Sequence, residues 1–277
     1  MNKHTVRAAD ATPSPIPSPE STLRLRLMER IRTSLAHESQ FQTVRREGGD
    51  WQHAQTGVRR KALATTLVVT SELIELAPGA TLPQLGGVSL QEVVLMAGEL
   101  SLGGAALEVG DAVCAPQDAA HQLRAGAAGA QIYLRSSTPT ESTPRPTTTS
   151  SAPRGGLSSP AEPDLLKRHD RMQRFSTLSD DAAWQDFCPG VRIRELWDGG
   201  VHRSVLVRMA AGARVNAHKH GLEEECLMLA GEAFIGDTLL RSGEYQLAPQ
   251  GSRHGAIQTD VGALFFVHGS LDPVAYA

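Results

Sequence analysis

The stretch Gly212-Ala213-Arg214-Val215-Asn216-Ala217-His218-Lys219-His220-Gly221-Leu222-Glu223-Glu224 holds two imidazoles and a carboxylate at fixed spacing, and Gly231 closes it. It has an earlier counterpart at a constant shift of 133 residues. At that shift Gly212 falls on Gly79, Gly231 on Gly98, Gly243 on Gly110, Pro249 on Pro116 and His254 on His121. The overlay continues outward without a gap. Trp184-Gln185 repeats Trp51-Gln52, Gly190-Val191-Arg192 repeats Gly57-Val58-Arg59, and Gly262-Ala263 repeats Gly129-Ala130. The chain therefore reads as a tandem duplication.

Both copies consist of short β-branched or aliphatic runs punctuated by glycine and proline. Leu73-Ile74-Glu75-Leu76, Val93-Val94-Leu95-Met96 and Gln131-Ile132-Tyr133-Leu134 are strands of the first copy. Val205-Leu206-Val207, Cys226-Leu227-Met228-Leu229 and Leu264-Phe265-Phe266-Val267 are strands of the second. Many short strands with turn signals such as Pro78-Gly79 and Gly110-Asp111 point to antiparallel sandwiches or barrels. The expected order is a disordered leader over 1–21, a first β-domain over 22–135, a Ser/Thr/Pro-rich linker over 136–163 and a second β-domain over 164–277. Each domain opens on a short helix. The first follows Ser21 or Thr22 and runs to about Ala36, with Leu23, Leu27, Ile31 and Leu35 as a stripe packing on its domain. The second is expected from about Asp164 to Phe175.

Composition narrows the function. A chain of 277 residues suits two domains of ordinary size, and its net charge of −3 gives no reason to expect nucleic acid as a partner. No apolar run approaches the roughly 18–20 residues of a membrane helix, and no secretory signal is visible over Met1–Glu20. Three scattered cysteines, Cys114, Cys188 and Cys226, do not make a disulfide framework, so a cytoplasmic setting is expected.

The chemistry lies in the second copy. His218 and His220 stand at i and i+2, which on an extended strand point to one face. Glu224 follows past Gly221, and Pro249-Gln250-Gly251 shapes a turn that aims His254 back at the interior. Three neutral nitrogens and one carboxylate suit a divalent ion, zinc foremost, with iron, manganese or nickel as alternatives. The first copy has Leu85, Gly87 and Gln91 at the equivalent positions and keeps only His121, so no metal is expected there. Cys226 shares the inward face with Glu224 and is read as an inert core thiol. Glu223 and Glu225 are read foremost as solvated strand-edge carboxylates, with a role in orienting a ligand histidine as the alternative.

With Gly243, Pro249, Gly251 and His254 completing a second motif, the sequence resembles the cupin superfamily. That resemblance implies an all-β fold of two tandem double-stranded β-helix (jelly-roll) barrels with short flanking helices, and His218, His220, Glu224 and His254 as metal ligands. A narrower likeness rests on Leu25-Arg26-Leu27-Met28-Glu29-Arg30-Ile31, Thr43-Val44-Arg45, Asp50-Trp51 and the run His218–Glu225. These resemble the cupin part of ChrR-type anti-sigma factors. That group implies a stress-sensing cupin that relieves inhibition of a sigma factor. Such factors hold sigma with a separate N-terminal zinc module, and no cysteine here precedes Cys114.

Two functions are therefore expected in competition. One is a regulatory cupin that reports on a small molecule or oxidant, with a sigma factor as possible partner. The other is a mononuclear iron dioxygenase acting on a β-diketone or similar enolisable compound. The two halves are expected to pack as an intramolecular pseudo-dimer, with further homo-oligomers left open.

Overall fold

The computed structural model describes residues 19–82, 90–116, 122–137, 173–175, 184–198 and 201–270. The chain divides into two compact units, Met1–Gln40 and Phe41–Ala277. The first contains helix α1 (Pro19–Glu38). It begins earlier than expected because proline's fixed φ suits a first helical turn. Ser39 ends it, its amide donating to Leu35 O and its hydroxyl to Ala36 O. Leu23, Leu27, Ile31 and Leu35 are exposed. Among the described residues no helix is long and apolar enough to cross a membrane.

The second unit opens with β1 (Gln42–Val44), β2 (Gln52–Gln55), β3 (Val58–Thr65), β4 (Val69–Leu76), β5 (Thr81–Leu82), β6 (Leu90–Leu102), β7 (Ala105–Leu107), β8 (Ala112–Pro116) and β9 (Leu123–Ser137). It continues with β10 (Gln173–Phe175), β11 (Gln185–Cys188), β12 (Val191–Asp198), β13 (Arg203–Met209), β14 (Arg214–Val215), β15 (His218–Lys219) and β16 (Glu224–Ile235). The last strands are β17 (Thr238–Arg241), β18 (Tyr245–Ala248), β19 (Arg253–His254), β20 (Ile257–Gln258) and β21 (Ala263–Gly269). One sheet runs β10-β8-β6-β9-β4-β3-β2 and the other β1-β18-β16-β21-β13-β12-β11, all antiparallel. The fold is all-β, as expected.

The register repeats at the same shift as the sequence. Val58 pairs Leu76 as Val191 pairs Met209, and Gly98 pairs Ala130 as Gly231 pairs Ala263. The repeated glycines are required by the backbone. A Cβ on Gly98 would lie 2.2 Å from Gly129 O, and one on Gly231 would lie 2.1 Å from Gly262 O. Both glycines also hold a left-handed φ, 84° and 74°.

Each sheet donates its opening strand to the other. β1 pairs β18 of the later sheet, and β10 pairs β8 of the earlier one. The helix expected over Asp164–Phe175 is thus corrected at its end: residues 173–175 form strand β10, because edge strand β8 offers them a backbone ladder. The rest of that segment lies outside the described residues, as does most of the expected leader and linker. β9 carries the first β-region two residues further, to Ser137.

Alternation along the strands supplies three cores. Ile74, Leu95 and Ile132 fill the first barrel, and Val205, Met228 and Phe265 fill the second. The residues between them point the other way into a shared core of Leu73, Tyr133, Leu206, Leu227, Tyr245 and Phe266. Runs such as Leu264-Phe265-Phe266-Val267 are apolar throughout because both of their faces are buried. At roughly 1.5–3 kcal/mol per large apolar side chain, this shared layer contributes on the order of 10 kcal/mol.

Candidate metal centre

β15 and β19 pair with His218 opposite His254 and Lys219 opposite Arg253. This register, unseen in the sequence, sets the two imidazoles side by side with ring centroids 4.5 Å apart. The Pro249–Gly251 turn fixes it. Gly251 takes a φ of 80°, its amide donates to His220 O, and the His220 amide donates to Ser252 O. Glu224 begins β16 and reaches across from the adjacent strand. Gly269 leaves room for it, since a Cβ there would lie 3.0 Å from Glu224 Cγ.

One atom from each of His218, His220, Glu224 and His254 lies within 4.8 Å of every other, and all four residues are buried. Glu224 Oε1 stands 4.0 Å from His218 Nε2, 3.6 Å from His220 Nε2 and 3.7 Å from His254 Nε2. His220 Nε2 and His254 Nε2 are 2.9 Å apart. Ligands about 2.0–2.2 Å from a common ion stand about 3.0–3.5 Å from one another, so these separations have the scale of a coordination polyhedron.

The outer ring nitrogens settle which atoms face inward. His218 Nδ1 is 3.1 Å from Asn216 O, a pure acceptor, so Nδ1 carries the proton and Nε2 presents its lone pair. Ser252 Oγ donates to Pro249 O and accepts from His220 Nδ1 at 2.9 Å, with the same result. His254 Nδ1 finds no hydrogen-bond partner among the described residues, and its ring lies 5.9 Å from that of Phe41. Lone pairs on Nε2 atoms at 2.9 Å repel one another unless a proton or a cation stands between them. The donor set fits a divalent ion.

Electrostatics agree. Burial opposes ionisation of Glu224, but the three imidazoles of His218, His220 and His254 around it outweigh burial and hold the carboxyl well below its ordinary range. Burial and the neighbouring imidazoles push His254 down, which favours the neutral ligand form. Cys226 lies on the same inward face and lines the barrel with Glu224. Burial, with the nearby Glu224 charge, pushes its thiol far up, so it remains a protonated core residue.

In the first barrel, Leu85, Gly87 and His121 lie outside the described residues, while Gln91 is half-buried on β6.

Glu225 corrects the sequence reading. It is buried, and its carboxylate accepts from Ser71 Oγ, from Tyr133 OH at 3.1 Å, from Arg135 Nε at 2.7 Å and from Tyr245 OH at 2.8 Å. Arg135 Nη1 also donates to Glu92 Oε2 at 3.0 Å. Glu92 accepts from Ser204 Oγ and lies 3.2 Å from His268 Nδ1. The missed signal was the repeat itself, since Ser71 and Glu92 recur as Ser204 and Glu225 at the shift of 133.

Residues 172–272, which carry the buried His3Glu cluster in the second barrel, match the family described as the ChrR cupin-like domain. No curated protein matches the chain significantly. Among solved structures it is similar to AerE from Microcystis aeruginosa, at 16% identity and TM-score 0.56, over 84% of this chain and 100% of that one. It is also similar to the protein Ylba from E. coli, at 12% identity and TM-score 0.58, over 83% and 90%. A third is the oxalate decarboxylase of Lactobacillus farciminis in its formate complex, at 13% identity and TM-score 0.54, over 84% and 87%. At these identities the likeness is one of fold.

Proposed function

We propose that the chain is a ChrR-like regulatory cupin that holds one divalent ion, zinc foremost, on His218, His220, Glu224 and His254 and reports on a small oxidant. A cavity lined by two of them, Glu224 and His254, carries the reading. It measures about 40 Å³ and is walled by apolar groups, among them Phe187, Val207, Met209, Cys226 and Phe265. At about 10–15 Å³ per water-sized occupant it admits a reactant of a few heavy atoms. Substrate pockets for larger organic molecules run to about 300–1,000 Å³. A β-diketone does not fit this space, which weighs against the dioxygenase reading. A peroxide or a dioxygen species does fit.

A bound ion would supply a Lewis-acidic point at the floor of this cavity. Asn216 and Ser252 orient the imidazoles, Glu224 supplies the negative charge, and the apolar walls exclude water. A sigma factor or another regulator would read the outcome as the partner.

Elemental analysis and cobalt titration of the purified chain should give about one ion per chain. Hydroperoxide added to the cobalt-loaded protein should then shift the visible d–d bands, as expected if it takes an open coordination position beside the cavity. Rapid dioxygen uptake by iron-loaded protein with a panel of enolisable compounds would replace this reading with the enzymatic one.

A further inference from the structure

The first barrel faces the metal centre from behind. On β16, Glu224 points into the second barrel and Glu225 points the opposite way, into the layer between the barrels. Four groups hold the Glu225 carboxylate, and three of them, Ser71, Tyr133 and Arg135, come from the first barrel. Glu92, Ser204, His268 and Tyr245 complete the network, and none of these eight residues is more than 4% exposed. In so dry a layer each bond is strong, and each one lost leaves an unsatisfied group.

The strand has little freedom around this point. The Glu224 side chain lies over Gly269 on β21, where an added Cβ would come within 3.0 Å of its Cγ, and Glu225 pairs across the ladders with Leu247 and His268. A shift in the Glu225 anchor therefore rotates the peptide that carries Glu224.

We infer that the first barrel is a positioning element of the metal centre: through Ser71, Tyr133 and Arg135 it fixes Glu225, and so sets where Glu224 presents its carboxylate. This gives the barrel that has lost its ligand pattern a role in the site of the other. The inference rests on the metal reading above.

The duplication supplies the control. Ser71 donates to Glu225, beside the ligand, whereas its repeat Ser204 donates to Glu92, in a strand of the first barrel. Both hydroxyls are buried in the same layer, so both alanine variants should lose similar thermal stability. Cobalt(II) is the probe, read by its visible d–d bands and by its rate of transfer to a chelator. Ser71→Ala and Tyr133→Phe should still take up cobalt, with shifted bands and about tenfold faster transfer, the scale seen when groups supporting a metal ligand are removed. Ser204→Ala, whose hydroxyl reaches Glu225 one step removed through Glu92 and Arg135, should change both readouts less than Ser71→Ala does. Identical bands and rates in Ser71→Ala and Tyr133→Phe, or equal changes in Ser204→Ala, would overturn the inference while leaving the metal site intact. Failure of the unmodified chain to bind cobalt would overturn the metal reading, and this inference with it.

Discussion

Replacing Arg135 by methionine keeps most of the side-chain volume and removes the one guanidinium bridging Glu92 and Glu225, at 3.0 and 2.7 Å. Both carboxylates stay buried, so the variant leaves charge uncompensated, which costs about 3–5 kcal/mol. The pH dependence sharpens the test. Burial alone would raise the Glu92 carboxyl, but His268, Arg135 and Ser204 more than offset it and hold it at about 2. Because the folded value lies below the unfolded one of about 4.5, Glu92 contributes roughly 3 kcal/mol above pH ~4.5, lost as pH falls towards 2. Without Arg135, Glu225 loses the first of the groups that hold its carboxyl down, while Glu92 keeps His268 and Ser204, so both folded values rise towards the unfolded one. The variant's stability should then depend less steeply on pH through that range than that of the unmodified protein. Urea denaturation followed by tryptophan fluorescence at pH 7 and pH 4 measures both. The gap should be largest at pH 7 and should narrow at pH 4. Adding Glu92→Gln and Glu225→Gln to the variant should recover much of the loss. A deficit below about 1 kcal/mol at pH 7, or a gap unchanged by pH, would refute the network's role.

Three further outcomes are expected. His218→Ala or Glu224→Ala should reduce bound metal from about one ion per chain to near zero by elemental analysis, while His121→Ala should leave it near one. Gly231→Ala forces a Cβ to 2.1 Å from Gly262 O at a φ of 74°, and should cost about 3 kcal/mol or more in chemical denaturation. Under native conditions a thiol alkylating agent should label Cys188, which is half-buried, well before the buried Cys114 and Cys226. Mass spectrometry of the peptides reads the order, and early labelling of Cys226 would contradict its place as a protonated core thiol.

The four candidate ligands were legible because metal chemistry restricts residue type and spacing so tightly: among the described residues, His218, His220, Glu224 and His254 are the group that offers such a donor set. The glycines were legible for a related reason. Gly98 and Gly231 sit where a neighbouring carbonyl leaves no room for a side chain, so the duplication had to keep them. Glu225 was misread because a charged residue next to a ligand on a strand has the same local signature whether it meets water or Arg135. The helix expected before the second barrel was misplaced at residues 173–175, since the partner that makes them a strand is β8, about 60 residues earlier.

By itself, then, the sequence determined the period of the strands, the duplication and the donor set, all of which are local or repeat at a fixed interval. Only the tertiary structure decided the His218–His254 register, the exchange of opening strands and the burial of Glu92, Arg135 and Glu225 in one layer. Those features pair residues far apart in the chain, and the free energy of such a pairing depends on what water it displaces rather than on the residues that flank it.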